Sequence, residues 1–249
     1  MPQTATADAP PIGIGLYTVS DAAALLRIPR RNIRRWLAGY TYQARNGSRQ
    51  SMPPLWRPQL PAWERHLELG FRDLIELRFV SAFLDQGLSI LTIRRCLEHA
   101  RRFVGDERPF STRRFSTDGR TIFLAFVEEA RADPNQVLAD VPEAERARLI
   151  DLKTHQYVFR IVIEQTFRDL DLDANAVVRW RPFRGKTSII IDPNRAFGQP
   201  ITTMTGVPTS TLADAVAAEG SEKRVAQLFN VPRAVVADAV RFERELAAA

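Results

Sequence analysis

Tyr17-Thr18-Val19-Ser20-Asp21-Ala22-Ala23-Ala24-Leu25-Leu26-Arg27-Ile28-Pro29-Arg30-Arg31-Asn32-Ile33-Arg34-Arg35-Trp36-Leu37 is the stretch that decides the reading of this chain. It opens with a short strand-like lead and turns into a helix. Ser20 is the expected N-cap, Asp21 suits the positive helix end, and Val19, Ala23 and Leu26 point inward. Pro29 restricts Ile28 to extended conformations and so separates this helix from a second one running to about Leu37. On the second helix Ile33, Trp36 and Leu37 form an inward stripe at i, i+3, i+4 spacing. Arg30, Arg31, Arg34 and Arg35 occupy the other side. A solvated helix face usually mixes signs so that neighbours can pair, and this face has no acid to pair with. Guanidinium groups bind phosphates and the O6/N7 edge of guanine with two parallel hydrogen bonds, so the arrangement suits a major groove of DNA.

Working outward, Tyr40 to Pro58 reads as a hairpin turning at Asn46-Gly47-Ser48, with Arg45 and Arg49 flanking the tip. From Arg27 to Arg57 there are eight arginines and no Asp or Glu, while the formal net charge of the whole chain is only +6. A single-sign patch on an otherwise nearly balanced chain fits phosphate binding. Two helices succeed the hairpin. One spans about Leu69 to Gln86, apolar on two faces and stopped by Gly87. The other is capped by Ser89 and runs from Ile90 to Val104. Its outward arginines, Arg94, Arg95, Arg101 and Arg102, either extend the basic surface or are simply solvated.

The next segment is expected to be mixed. Phe110 to Phe126 reads as a hairpin around an Asp118-Gly119 turn. A polar break from Asp133 to Pro142 precedes a helix from about Glu143 into the mid-160s, and Asn175–Trp180 and Thr187–Ile191 read as strands. Three helices close the chain: Leu212 to Ala218, capped by Thr209-Ser210-Thr211 and ended by Gly220; one through Val225-Phe229, capped by Ser221; and a last one from Pro232 to Leu246. The fold class is thus mainly α with short β hairpins: an N-terminal winged helix-turn-helix, an α/β middle segment and a C-terminal three-helix, helix-turn-helix-like domain. Residues 1–14 form a disordered lead, 15–105 the N-terminal unit, 106–186 the connecting segment and 187–249 the C-terminal unit.

Motifs that suggest chemistry fail on inspection. Asp169, Asp171 and Asp173 alternate like a calcium loop, but the sixth position is Ala174 rather than Gly and the twelfth is Trp180 rather than Glu. They read instead as a helix-end loop. Gly185-Lys186-Thr187 lacks the first glycine of a phosphate-binding loop, which would fall at Trp180. His66, His99 and His155 have no metal-ligand spacing, and the single Cys96 lies near an inward stripe, as a buried thiol would. The expectation is no enzyme, no cofactor and no metal. A nuclease would need clustered carboxylates for a divalent cation, which spacing does not supply. No apolar run approaches the ~18 residues of a membrane span, and the cytoplasm is the simplest location.

Tyr17 to Ala23 together with Ile28 to Trp36 resembles the MerR-type helix-turn-helix, and the likeness extends over about Leu16 to Ala100. It implies that the second helix enters the major groove while the wing touches the flanking backbone. Further on, Asp192-Pro193, Phe197-Gly198-Gln199-Pro200 and Gly206-Val207-Pro208-Thr209 resemble the signature of a short domain of unknown function common in bacterial antitoxins. Joined, the two parts look like a VapB-type antitoxin of a type II toxin–antitoxin system, from Leu16 to Leu246. That resemblance implies a protein that binds and inhibits a PIN-like ribonuclease toxin and represses its own operon as a homodimer on double-stranded DNA. Arg30, Arg31, Arg34 and Arg35 would contact bases or phosphates, and Arg45 and Arg49 the backbone. VapB antitoxins are usually short, with a disordered toxin-binding tail. This sequence lacks one, which points the toxin surface to folded elements, the Asn175–Ile191 strands and the last three helices. The alternative is a stand-alone MerR-like regulator that senses a small-molecule effector in the middle segment.

Overall fold

A computed structural model describes residues 13–43, 47–62, 66–143, 146, 152–183 and 185–249. The expected lead, save its last two residues, lies outside them, as do Arg45, Asn46 and Arg184. Among the described residues ten α-helices and eight short strands make a mainly helical fold, and every strand pairing is antiparallel.

β1 (Tyr17–Thr18) leads into α1 (Val19–Leu26). The cap is Thr18, not Ser20. The Thr18 hydroxyl accepts from the Asp21 amide at 3.2 Å, and the Asp21 carboxylate accepts from the Thr18 amide at 2.9 Å. This reciprocal pair satisfies two donors that a lone Ser20 would leave to solvent. Val19 and Ala22 are buried, whereas Ala23 and Leu26 are half-buried. Arg27 closes the helix with a left-handed backbone, and α2 (Arg30–Ala38) starts behind Pro29. Ile33, Trp36 and Leu37 are buried as the spacing requires. β2 (Tyr40–Gln43) and β3 (Arg49–Met52) form the expected hairpin, with Tyr40 opposite Met52 and Gln43 opposite Arg49. β4 (Glu68–Leu69) then returns to pair with β1.

α3 (Phe71–Asp85) runs through the main core, packed on more than one side, and buries two carboxylates completely. Asp73 accepts from Trp56 Nε1 (2.9 Å), the Gln59 amide (2.8 Å) and the Gly70 amide (2.9 Å), and Arg108 Nε pairs with it at 2.7 Å. Glu76 accepts from the amides of Ser111 (2.8 Å) and Phe110 (3.3 Å). A buried carboxylate is tolerable only when its oxygens are occupied in this way, and these bonds tie the segments around Trp56 and Phe110 to α3. α4 (Ile90–Val104) is capped by Ser89.

The expected hairpin at Phe110–Phe126 is instead α5 (Arg113–Ala132). Thr112 caps it by accepting from the Phe115 amide at 3.1 Å, and Phe115, Ile122, Phe123, Phe126, Val127 and Ala130 are buried along one side. Their spacing of three, four and seven residues is helical, and burying that stripe outweighs the β preference of the individual residues. Gly119 is no turn. A Cβ there would lie 2.9 Å from Ile163 Cδ1, so the residue lets α5 approach its neighbour closely. α6 (Pro134–Val137) is one short turn, and α7 (Leu152–Phe167) packs on α3 and α5. The start expected near Glu143 falls largely outside the described residues.

β5 (Leu170–Leu172), β6 (Val177–Trp180), β7 (Ile189–Ile191) and β8 (Pro200–Thr202) form a four-stranded sheet in chain order. Asp171 therefore lies in a strand rather than in the helix-end loop expected from its alternation with Asp169 and Asp173. The final helices are α8 (Thr209–Glu219), α9 (Glu222–Leu228) and α10 (Arg233–Ala247). α8 begins behind Pro208, so Thr209 sits inside the helix rather than capping it. These three helices share a small core of Leu212, Val225, Val231, Val236 and Ala239. They also reach back to the chain's start: Leu25 packs against Phe183, Ile189 and Phe242, and Arg27 pairs with Glu245 at 3.2 Å.

Candidate nucleic-acid interface

α2 presents Arg30, Arg31, Arg34 and Arg35 to solvent on the side opposite its buried stripe. No ion pair engages any of the four among the described residues. Arg35 lies over the Tyr40 ring, its guanidinium carbon 4.0 Å from the centroid. Stacking of this kind orders a long side chain while leaving its N–H donors free at the edge. The hairpin continues the surface. Tyr42 donates to Gln50 at 2.7 Å, and exposed Arg49 donates to the Thr41 hydroxyl at 3.4 Å. Arg45 lies outside the described residues. Tyr40, Tyr42 and Gln50 escaped the sequence reading, although the alternation in Tyr40-Thr41-Tyr42-Gln43 already placed both rings on one face of the strand.

The hairpin is braced from below. Leu55 N donates to Trp36 O at 2.6 Å, Arg94 donates to the carbonyls of Pro53 (2.7 Å) and Pro54 (3.0 Å), and Arg101 donates to that of Leu55. Arg95 pairs with Glu98 and Asp140, and Arg102 with Glu129. Arg94 and Arg101 are thus engaged at the hairpin root and Arg95 in ion pairs, while the Arg102 side chain, beside Glu129, is 67% exposed.

The residues weighed for chemistry are dispersed. Asp169 pairs with Arg78, Asp171 with Arg181, and Asp173 accepts from the amides of Asn175 and Ala176, which lowers its pKa. Burial pushes the Cys96 thiol far above its ordinary range. His99 Nδ1 lies 2.9 Å from Glu129, and His66 is exposed. Among the described residues no group of three or more His, Cys, Asp or Glu is placed to hold a metal ion, and no helix is long and apolar enough to cross a membrane. A cleft of about 520 Å³ between α4 and the α5–α6 region is lined by Arg95, Glu98, Arg101, Phe126, Glu129 and Val137.

No family model matches the chain. It is distantly similar to the protein named "Putative antitoxin VapB45" of Mycobacterium tuberculosis (strain ATCC 25618 / H37Rv), at 24% identity over 230 residues, 91% of this chain and 93% of that protein. Its fold is similar to the crystal structure of Rv2018 from Mycobacterium tuberculosis, with a TM-score of 0.69, 22% identity, and coverage of 92% of this chain and 99% of that one.

Proposed function

We propose that this chain is a VapB-type antitoxin and autorepressor. It binds and neutralises a PIN-like ribonuclease toxin and occupies its own operator as a homodimer, through a winged helix-turn-helix made of α1, α2 and the β2–β3 hairpin. The toxin half of this reading rests on the distant VapB45 relative, which spans nearly the whole chain. The DNA half is carried by one observation: an acid-free helix face of four exposed arginines, with no ion pair among the described residues, beside an arginine-bearing hairpin. Arg30, Arg31, Arg34 and Arg35 contact bases or phosphates, while Arg45 and Arg49 contact the flanking backbone. A dimer supplies the second head that a two-fold operator needs.

The test is binding of the purified protein to the DNA upstream of its own gene across a salt series. Six neutralised phosphates give a log–log slope of about −5. A slope near zero removes the electrostatic footprint and the repressor reading with it. The alternative reading is a stand-alone regulator with a small-molecule effector, whose candidate site is the open cleft beside α4 and α5, lined by the paired Arg95 and Glu98 and by Glu129. That reading expects a metabolite-dependent rise in melting temperature with no toxin partner.

A further inference from the structure

Most of the signature from Asp192 to Thr209 has an internal structural account. Asp192 is buried, accepts from the Asn194 amide at 3.0 Å and pairs with Arg179 at 3.0 Å. At Gly198 a Cβ would fall 2.2 Å from the Tyr17 hydroxyl, which donates to the Gly198 carbonyl at 2.8 Å. At Gly206 a Cβ would fall 2.2 Å from Arg195 Nη2, and the Thr209 hydroxyl donates to Pro200 O at 3.2 Å.

Phe197 has no such account. Its side chain is large and apolar, yet the residue is 67% exposed. It also sits at φ +53°, directly after Ala196 at φ +45°. Two successive side-chain-bearing residues in the left-handed region are costly and persist only where surrounding contacts impose them. Those contacts are present: Leu16 N donates to Phe197 O at 3.0 Å, and Gly198 N donates to Arg195 O at 2.9 Å. Leu16, held next to the turn, is itself 49% exposed. Arg195 is exposed and has no ion pair among the described residues.

We propose that Phe197, flanked by Leu16 and Arg195, is the anchor through which this chain grips the toxin. This rests on the antitoxin reading above. Charge complementarity defines the partner's side: an apolar pocket for the ring, rimmed by carboxylates that answer Arg195, which has no ion pair among the described residues. Aromatic and arginine side chains dominate the energetics of protein interfaces, and a backbone turn already fixed before binding loses little further freedom on docking.

The full-length chain is titrated with the purified product of the adjacent gene. Phe197→Ala weakens binding by about 30-fold or more, the scale of an interface hot spot, while Phe197→Leu retains most of it. Phe197→Gly loses binding but keeps or raises the melting temperature, because glycine is at ease at positive φ. A fall in melting temperature for Phe197→Gly gives the ring a structural role and overturns the proposal. Wild-type affinity for Phe197→Ala overturns the anchor and leaves the antitoxin reading standing. Failure of the wild-type chain to bind the product overturns both. Self-association that Phe197→Ala abolishes puts a second copy on this surface and overturns the toxin assignment.

Discussion

Glu76 and Asp73 are three residues apart on α3 and equally buried, but their partners differ. Asp73 has a guanidinium in direct contact, whereas the Glu76 carboxyl group has no ion pair among the described residues and is held by the amides of Ser111 and Phe110 and by the Ser111 side chain. Burial raises the Glu76 pKa to about 8, against the opposing pull of the Ser111 amide and hydroxyl, Arg72 and the Phe110 amide. The folded protein thus keeps a proton that the unfolded chain releases near 4.5. The resulting stability is fully present below about pH 4.5 and is lost as pH rises through about 8, at up to about 1.4 kcal/mol per pH unit. Urea unfolding at pH 6 and pH 8.5 measures it, and Glu76→Gln is expected to remove this part of the pH dependence. Equal pH dependence in both proteins would contradict the assignment. At the same scale, Arg34→Ala is expected to weaken operator binding by about 1–3 kcal/mol, with no change in melting temperature beyond that of an exposed substitution. Unchanged binding would take Arg34 out of the interface.

Among the elements, α5 carries the sharpest test of why some structure is readable from sequence and some is not. Asp118-Gly119 between β-type residues imitates a hairpin turn, but the buried series from Phe115 to Ala130 keeps helical spacing through it. Local propensity and periodicity disagreed, and burial decided. Gly119→Ala is therefore expected to change stability by less than about 1 kcal/mol. The gain in helix propensity, about 1 kcal/mol, roughly offsets the displacement of the flexible Ile163 end. A loss above about 3 kcal/mol on chemical denaturation would mean that Ile163 cannot move aside and that the close approach of the two helices is rigid. α2, by contrast, was legible in full, since its buried stripe, its basic face and its missing acids all lie within nine residues. The β2–β3 hairpin was legible for the same reason. The packing of Arg94 and Arg101 under the hairpin was not, because the carbonyls they engage lie about 40 residues away in sequence.

On the scale of the whole molecule, the two ends of the chain meet. Tyr17 and Gly198 are 181 residues apart in sequence and share a hydrogen bond, and Leu25 of α1 completes an apolar cluster with Phe183, Ile189 and Phe242. The exposed Arg27–Glu245 pair adds little to this, as ion pairs in water do. The contacts of buried Tyr17 and half-buried Leu25 hold the arginine-bearing helix and the Phe197 turn in one frame, which no local pattern announces. An antitoxin that also represses needs both surfaces on one body. The most direct measurement of that account is growth of cells expressing the adjacent gene, with and without this protein. The account predicts arrest by the adjacent gene alone and recovery on co-expression. Absence of arrest, or arrest that this protein does not relieve, would contradict it.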